Sequence, residues 1–194
     1  MNTSTEYWRG DADLLHADRH PDVRVHHVAG TQHSAGEVPQ TDVDPDFGGR
    51  AAHGFNTVDY RPVLRALLDQ LVAWVEDGTT PPPSVLPPQL TTRAQALTAG
   101  AAVGLAEPLG VHAGWNRRHP DIGADHERIV LRGMTVWFPT SLLEDRFDDL
   151  DGYLARVEPV VDDLIAQGFV RAADRRLVLD DDAARWGEAA LGRQ

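Results

Sequence analysis

Val63, Leu64, Leu67, Leu68, Leu71, Val72 and Val75 recur at helical spacing, and start and stop signals bracket them. Asp59 offers a cap, Pro62 suits a first turn and Gly78 ends the pattern, so a helix is expected over 59–78. A second helical stripe, Tyr153, Leu154, Val157, Val161, Leu164 and Ile165, predicts a helix over 151–167 that Gly168 terminates and Pro159 kinks. A short last helix is expected through Ala183 and Trp186, capped by one of Asp180 to Asp182. Residues 23–28 (VRVHHV) are β-branched and bounded by Pro21 and Gly30, which reads as a strand. Residues 129–138 (IVLRGMTVWF) read as strand, bend and strand, with Gly133 permitting the break.

The segments between these elements carry no period. Residues 34–55 are rich in Gly, Asp and Pro and form a long loop, of the kind that exceeds roughly 12–15 residues mainly where a loop has a function. Residues 79–88 (TTPPPSVLPP) are held extended by proline, as a strap across the surface or as a linker. Residues 91–110 are Ala/Gly/Leu-rich and fit either helix or strand. The resulting organisation is α/β: 1–80, a proline-rich strap over 81–90, and a mainly helical region over 91–194.

Composition narrows the chemistry more than the fold. The chain has 194 residues, 42% hydrophobic and 25% charged, which suits one ordinary globular domain. Thirty acidic residues against eighteen basic ones leave a net charge of −12, the wrong sign for binding nucleic acid or an anionic membrane. Every basic residue is Arg, so lysine-dependent chemistry is excluded; no Cys is present, which removes thiol nucleophiles, disulfides and thiolate metal sites. No stretch reaches the roughly 18 apolar residues of a membrane span. The polar first ten residues do not read as a signal peptide, so a cytoplasmic location is the default expectation.

His33 follows the 23–28 strand on the loop Gly30-Thr31-Gln32-His33, at the carboxyl end where open α/β sheets place reactive groups. Imidazole suits proton transfer near neutrality and needs a carboxylate on its far nitrogen to set its tautomer. Glu6, beside Tyr7 and Trp8, is a candidate for that carboxylate, although a surface glutamate and a structural histidine fit the same residues. A metal site among His16, His20, His26, His27 and His33 is disfavoured. His26 and His27 would face opposite sides of a strand, and Pro21 argues against a helix joining His16 to His20.

Thr5-Glu6-Tyr7-Trp8, Gly30-Thr31-Gln32-His33, and Asn56 with Asp59-Tyr60-Arg61-Pro62 resemble a family of large α/β-hydrolase-domain proteins. So do Asp77-Gly78 leading into Pro81-Pro82-Pro83-Ser84, the Gly114-Trp115-Asn116-Arg117 step and the 153–186 stretch. The resemblance implies a partial α/β-hydrolase core, its last strand and helix, followed by the helical region. It also implies a serine hydrolase acting on an ester or similar acyl bond, with Glu6 as the acid, His33 as the general base, and neither cofactor nor metal. Asn56, Arg61 and Trp115 match landmarks read as structural.

One part of the pattern is missing. The nucleophile of such enzymes sits in G-x-S-x-G at a strand-to-helix elbow, and no G-x-S-x-G occurs in the sequence. Ser4, Ser34, Ser84 and Ser141 are the only serines, and none has an elbow's context. The chain therefore resembles the back half of a hydrolase, inactive alone, that would self-associate or pair with an N-terminal half. The alternative is a non-catalytic, truncated or diverged binding module, in which Glu6 and His33 would not be hydrogen-bonded.

Overall fold

In the computed structural model, residues 1–9, 18–45, 48–86, 106–121, 129 and 131–191 are described. The chain opens with a two-residue strand, β1 (Asn2–Thr3), that passes directly into a short helix, α1 (Ser4–Arg9). β1 pairs in parallel with β2 (His27–Val28), matching Asn2 to His27 and Thr3 to Val28. Of the strand expected over 23–28, only its last two residues are regular, with His26 in an isolated parallel bridge to Val85. The reason is the proline-rich segment beside it: prolines supply few donors, so the hydrogen bonds come from Ser84, whose hydroxyl accepts the Val25 amide, and Val85, whose amide bonds the Val25 carbonyl and whose carbonyl accepts from His27. Ser84 and Val85 thus lie alongside residues 25–27.

The helix expected over 59–78 is α2 (Arg61–Asp77). Pro62 sits in its first turn and Gly78 ends it at φ +71°, a conformation that glycine adopts without strain. Asp59 contributes less than a full cap: its Oδ1 accepts the Arg61 amide at 2.9 Å, while Tyr60 occupies the cap position. The apolar stripe does not face inward as a whole. Pro62, Val63 and Ala66 are buried, but Leu64, Leu68, Leu71, Val72 and Val75 are 44–78% exposed. Part of this stripe forms, with Met1, Val23 and Trp74, an open groove of about 360 Å³.

Exposed apolar area of this extent drives association. Light scattering at micromolar concentration should report a mass well above 21 kDa, and Leu68→Glu with Leu71→Glu should return it toward the monomer. A compact monomer in the unmodified chain would contradict this expectation.

The second half begins with an antiparallel pair, β3 (Gly110–Ala113) and β4 (Met134–Trp137). Only the second strand expected in 129–138 is observed, and its partner is β3, a strand with no signal beyond Val111 in its short sequence. Gly133 is needed for closeness rather than for a bend: a Cβ there would sit 2.1 Å from the Ala113 carbonyl oxygen. Three helices follow: α3 (Thr140–Phe147), α4 (Leu150–Ala166) and α5 (Arg175–Ala190). α4 continues through Pro159, and the Asp149 carboxylate caps it by accepting the Gly152 amide. The ambiguous segment 91–110 lies outside the described residues as far as 105.

The last helix starts earlier than its sequence suggests. Asp174 precedes its first turn, and Asp180 to Asp182 lie within it rather than at its cap. Asp182 is fully buried and 2.5 Å from the Arg185 guanidinium, which also lies 3.1 Å from Asp181. An aspartate with a buried cationic partner one turn away has no need of the helix terminus. Tyr153 donates to the same carboxylate and stacks on Trp186, its ring centroid 5.3 Å away, so the polar pair is set into the largest apolar cluster. Arg185 reaches on to the Thr57 carbonyl at 3.4 Å, joining the helical region to the loop that precedes α2.

Candidate functional site

Glu6 and His33 come together although 27 residues separate them. Parallel pairing of β1 with β2 brings the two strand ends side by side, with Glu6 and His33 each a short way beyond its strand. Glu6 lies in the first turn of α1. His33 lies beyond a turn at Gly30, whose φ of +69° favours glycine. His33 Nδ1 is 2.5 Å from Glu6 Oε1. Nε2 makes no hydrogen bond among the described residues, and the His33 side chain is 59% exposed.

The base loop is tied down on every side. Tyr60 donates its hydroxyl to the His33 carbonyl at 2.8 Å, and the His33 amide bonds the Leu131 carbonyl. Burial, reinforced by the charges of Glu6 and Asp59, raises the Tyr60 phenol above its ordinary value and keeps it a donor. The buried Asn56 amide donates to the carbonyls of Gly30 and Ala113 at 2.6 and 2.9 Å, while Gln32 accepts the Gly133 amide at 2.7 Å. These contacts carry the structural role expected of Asn56. Arg61 pairs with Asp59 at 2.9 Å and does not enter the site.

Neighbouring histidines do not compete for Glu6. Burial lowers His27 to about 4, only partly offset by the Glu6 charge, so its ring is neutral at pH 7. His27 lies edge-on to Tyr7 and His26 edge-on to Phe169, on opposite sides as strand geometry requires. Among the described residues no cluster of three metal-ligating side chains occurs; His16 lies outside them.

None of the four serines addresses His33. Ser4 accepts the Gly30 amide, Ser34 accepts from Arg132 at 3.0 Å, and Ser84 accepts the Val25 amide at 2.9 Å. Ser141 is exposed in the first turn of α3. The arrangement is a carboxylate and an imidazole in contact, with the second ring nitrogen open and no hydroxyl among the described residues hydrogen-bonded to it.

A family model described as "Alpha/beta hydrolase domain" matches residues 1–180, spanning both strand ends that carry the pair. The chain belongs to the alpha/beta hydrolase domain family. Comparison with curated proteins and with solved structures returned no match. Among the described residues of this hydrolase-domain chain, no helix is long and apolar enough to cross a membrane.

A residue that sequence reasoning missed belongs to the same site. The Thr3 amide and hydroxyl both donate to Glu6 Oε2, the amide at 3.1 Å. The signal was present: Thr3-Ser4-Thr5-Glu6 is a T-x-x-E capping box, in which the fourth residue's side chain reaches back to the amide of the first.

Proposed function

We propose that this hydrolase-domain chain supplies the acid and general base of a serine hydrolase acting on ester or similar acyl bonds. The serine would come from outside these 194 residues, on a longer natural chain or on a separate subunit. The observation that carries this reading is the 2.5 Å contact of His33 Nδ1 with Glu6, which leaves Nε2 open.

In that role the Glu6 carboxylate accepts a hydrogen bond from Nδ1–H, so the lone pair of the neutral ring sits on Nε2. Nε2 takes the proton of the serine hydroxyl as its oxygen attacks the acyl carbon. The imidazolium so formed is stabilised by the carboxylate and returns its proton to the leaving oxygen as the carbon–oxygen bond breaks. Water repeats the sequence to release the acid, with His33 again the base.

The positions of the four serines favour an inactive chain in isolation. They also fit the second reading, a non-catalytic binding module of the same fold, whose expectation of Glu6 and His33 apart the 2.5 Å contact goes against. Hydrolysis of p-nitrophenyl butyrate separates the two. These 194 residues alone should match buffer, and the same residues extended by, or co-expressed with, the sequence encoded upstream should hydrolyse the ester in a His33-dependent manner. Absence of activity in the extended or co-expressed sample would favour the binding module; His33-dependent activity of these 194 residues alone would overturn the need for a serine from outside them.

A further inference from the structure

We infer that Thr3 is a positioning residue, which holds one oxygen of the Glu6 carboxylate so that only the other can address His33. This inference rests on the reading of Glu6 and His33 as acid and base. A glutamate carboxylate at the end of two flexible carbons can rotate and present either oxygen, or turn to solvent. Here Oε2 is claimed twice, by the Thr3 amide at 3.1 Å and by the Thr3 hydroxyl, and Oε1 alone remains for His33 Nδ1.

Thr3 is itself immobilised. It is 4% exposed and its backbone is paired with Val28 across the parallel ladder, so the strand that carries the base loop also fixes the donors that orient the acid. The next two hydroxyls extend the arrangement: Ser4 Oγ accepts the Gly30 amide at 2.9 Å, and Thr5 Oγ1 donates to the Gly114 carbonyl. Three consecutive hydroxyls therefore hold the acid, the loop leading to the base, and the end of β3. A capping box alone would stabilise α1 and leave the free oxygen's direction unconstrained. The additional hydroxyl bond to Oε2 and the His33 contact through Oε1 are what assign Thr3 to the site.

The consequence is read in the His33 ring of the 194-residue chain by ¹⁵N NMR, at a pH where the ring is neutral. The unmodified chain should show Nδ1 protonated and Nε2 unprotonated. Thr3→Val removes the hydroxyl at nearly constant shape, and most of the Nδ1–H signal should be lost to the Nε2–H form; Thr3→Ser should restore it. Glu6→Gln supplies a test that does not depend on how Thr3→Val folds. The Thr3 donors demand an acceptor, so the amide must turn its oxygen toward Thr3 and its NH₂ toward His33, and the ring must switch to Nε2–H.

An Nδ1–H ring that survives Thr3→Val in a folded chain, or that survives Glu6→Gln, overturns the role of Thr3 while leaving the acid–base reading intact. An Nε2–H ring in the unmodified chain overturns both.

Discussion

Replacing His33 with Ala should abolish nearly all ester hydrolysis by the completed enzyme, lowering kcat on the order of 10⁴–10⁶-fold with little change in KM. On the proposed mechanism the loss is large because His33 would act in both acylation and deacylation, and no other described group lies where it could replace it. The neighbouring His27 imidazole, lowered to about 4 by burial, is a poor base and is packed edge-on against Tyr7. Glu6→Gln should cost less, on the order of 10³–10⁴-fold, because the imidazole remains but is held in the wrong tautomer. Glu6→Gln activity equal to the unmodified enzyme would remove Glu6 from the mechanism. Loss of kcat for His33→Ala without a matching loss of fold, checked by circular dichroism, keeps the result chemical rather than structural.

The largest effect on stability should come from the buried pair in α5. Asp182→Ala should lower the free energy of unfolding by about 3–5 kcal/mol, measured by urea denaturation. The Arg185 guanidinium is 5% exposed, and without Asp182 it keeps only Asp181, whose own carboxyl burial pushes upward, and a long bond to Thr57. Tyr153 would lose its acceptor at the same time. The intact pair need not be a strong net stabiliser, since Asp182 Oδ2 has no hydrogen-bond partner among the described residues. Asp182→Leu combined with Arg185→Met should therefore destabilise by clearly less than the sum of the two single changes. Additive losses would mean that the two residues act independently of each other.

The pair of residues at the site was legible because residue type and order carried it: a carboxylate near the start, a histidine after a β-rich segment, and the family's landmarks between. Their contact was not, because it depends on the parallel register of a two-residue strand that has no sequence signal of its own. α2 was legible from its period and its Pro and Gly boundaries. Which side of it would be covered was not, since an apolar stripe records that something packs there and says nothing of what. The triple aspartate at 180–182 illustrates the opposite error. Aspartate favours helix starts, but a guanidinium one turn away outweighs that local preference once both groups are buried. Thr3 shows a signal that was available in a four-residue motif, with its consequence visible only when the second carboxylate oxygen met His33.

The central claim is that His33 serves a serine this chain does not contain. A fluorophosphonate probe, which reacts only with an activated serine, tests it most directly. Mixed with the chain alone the probe should label nothing. In the extended or co-expressed form it should label a serine outside these 194 residues, and His33→Ala should abolish that labelling. Labelling of Ser4, Ser34, Ser84 or Ser141 in the isolated chain, or labelling of the extended or co-expressed form that persists in His33→Ala, would contradict the account.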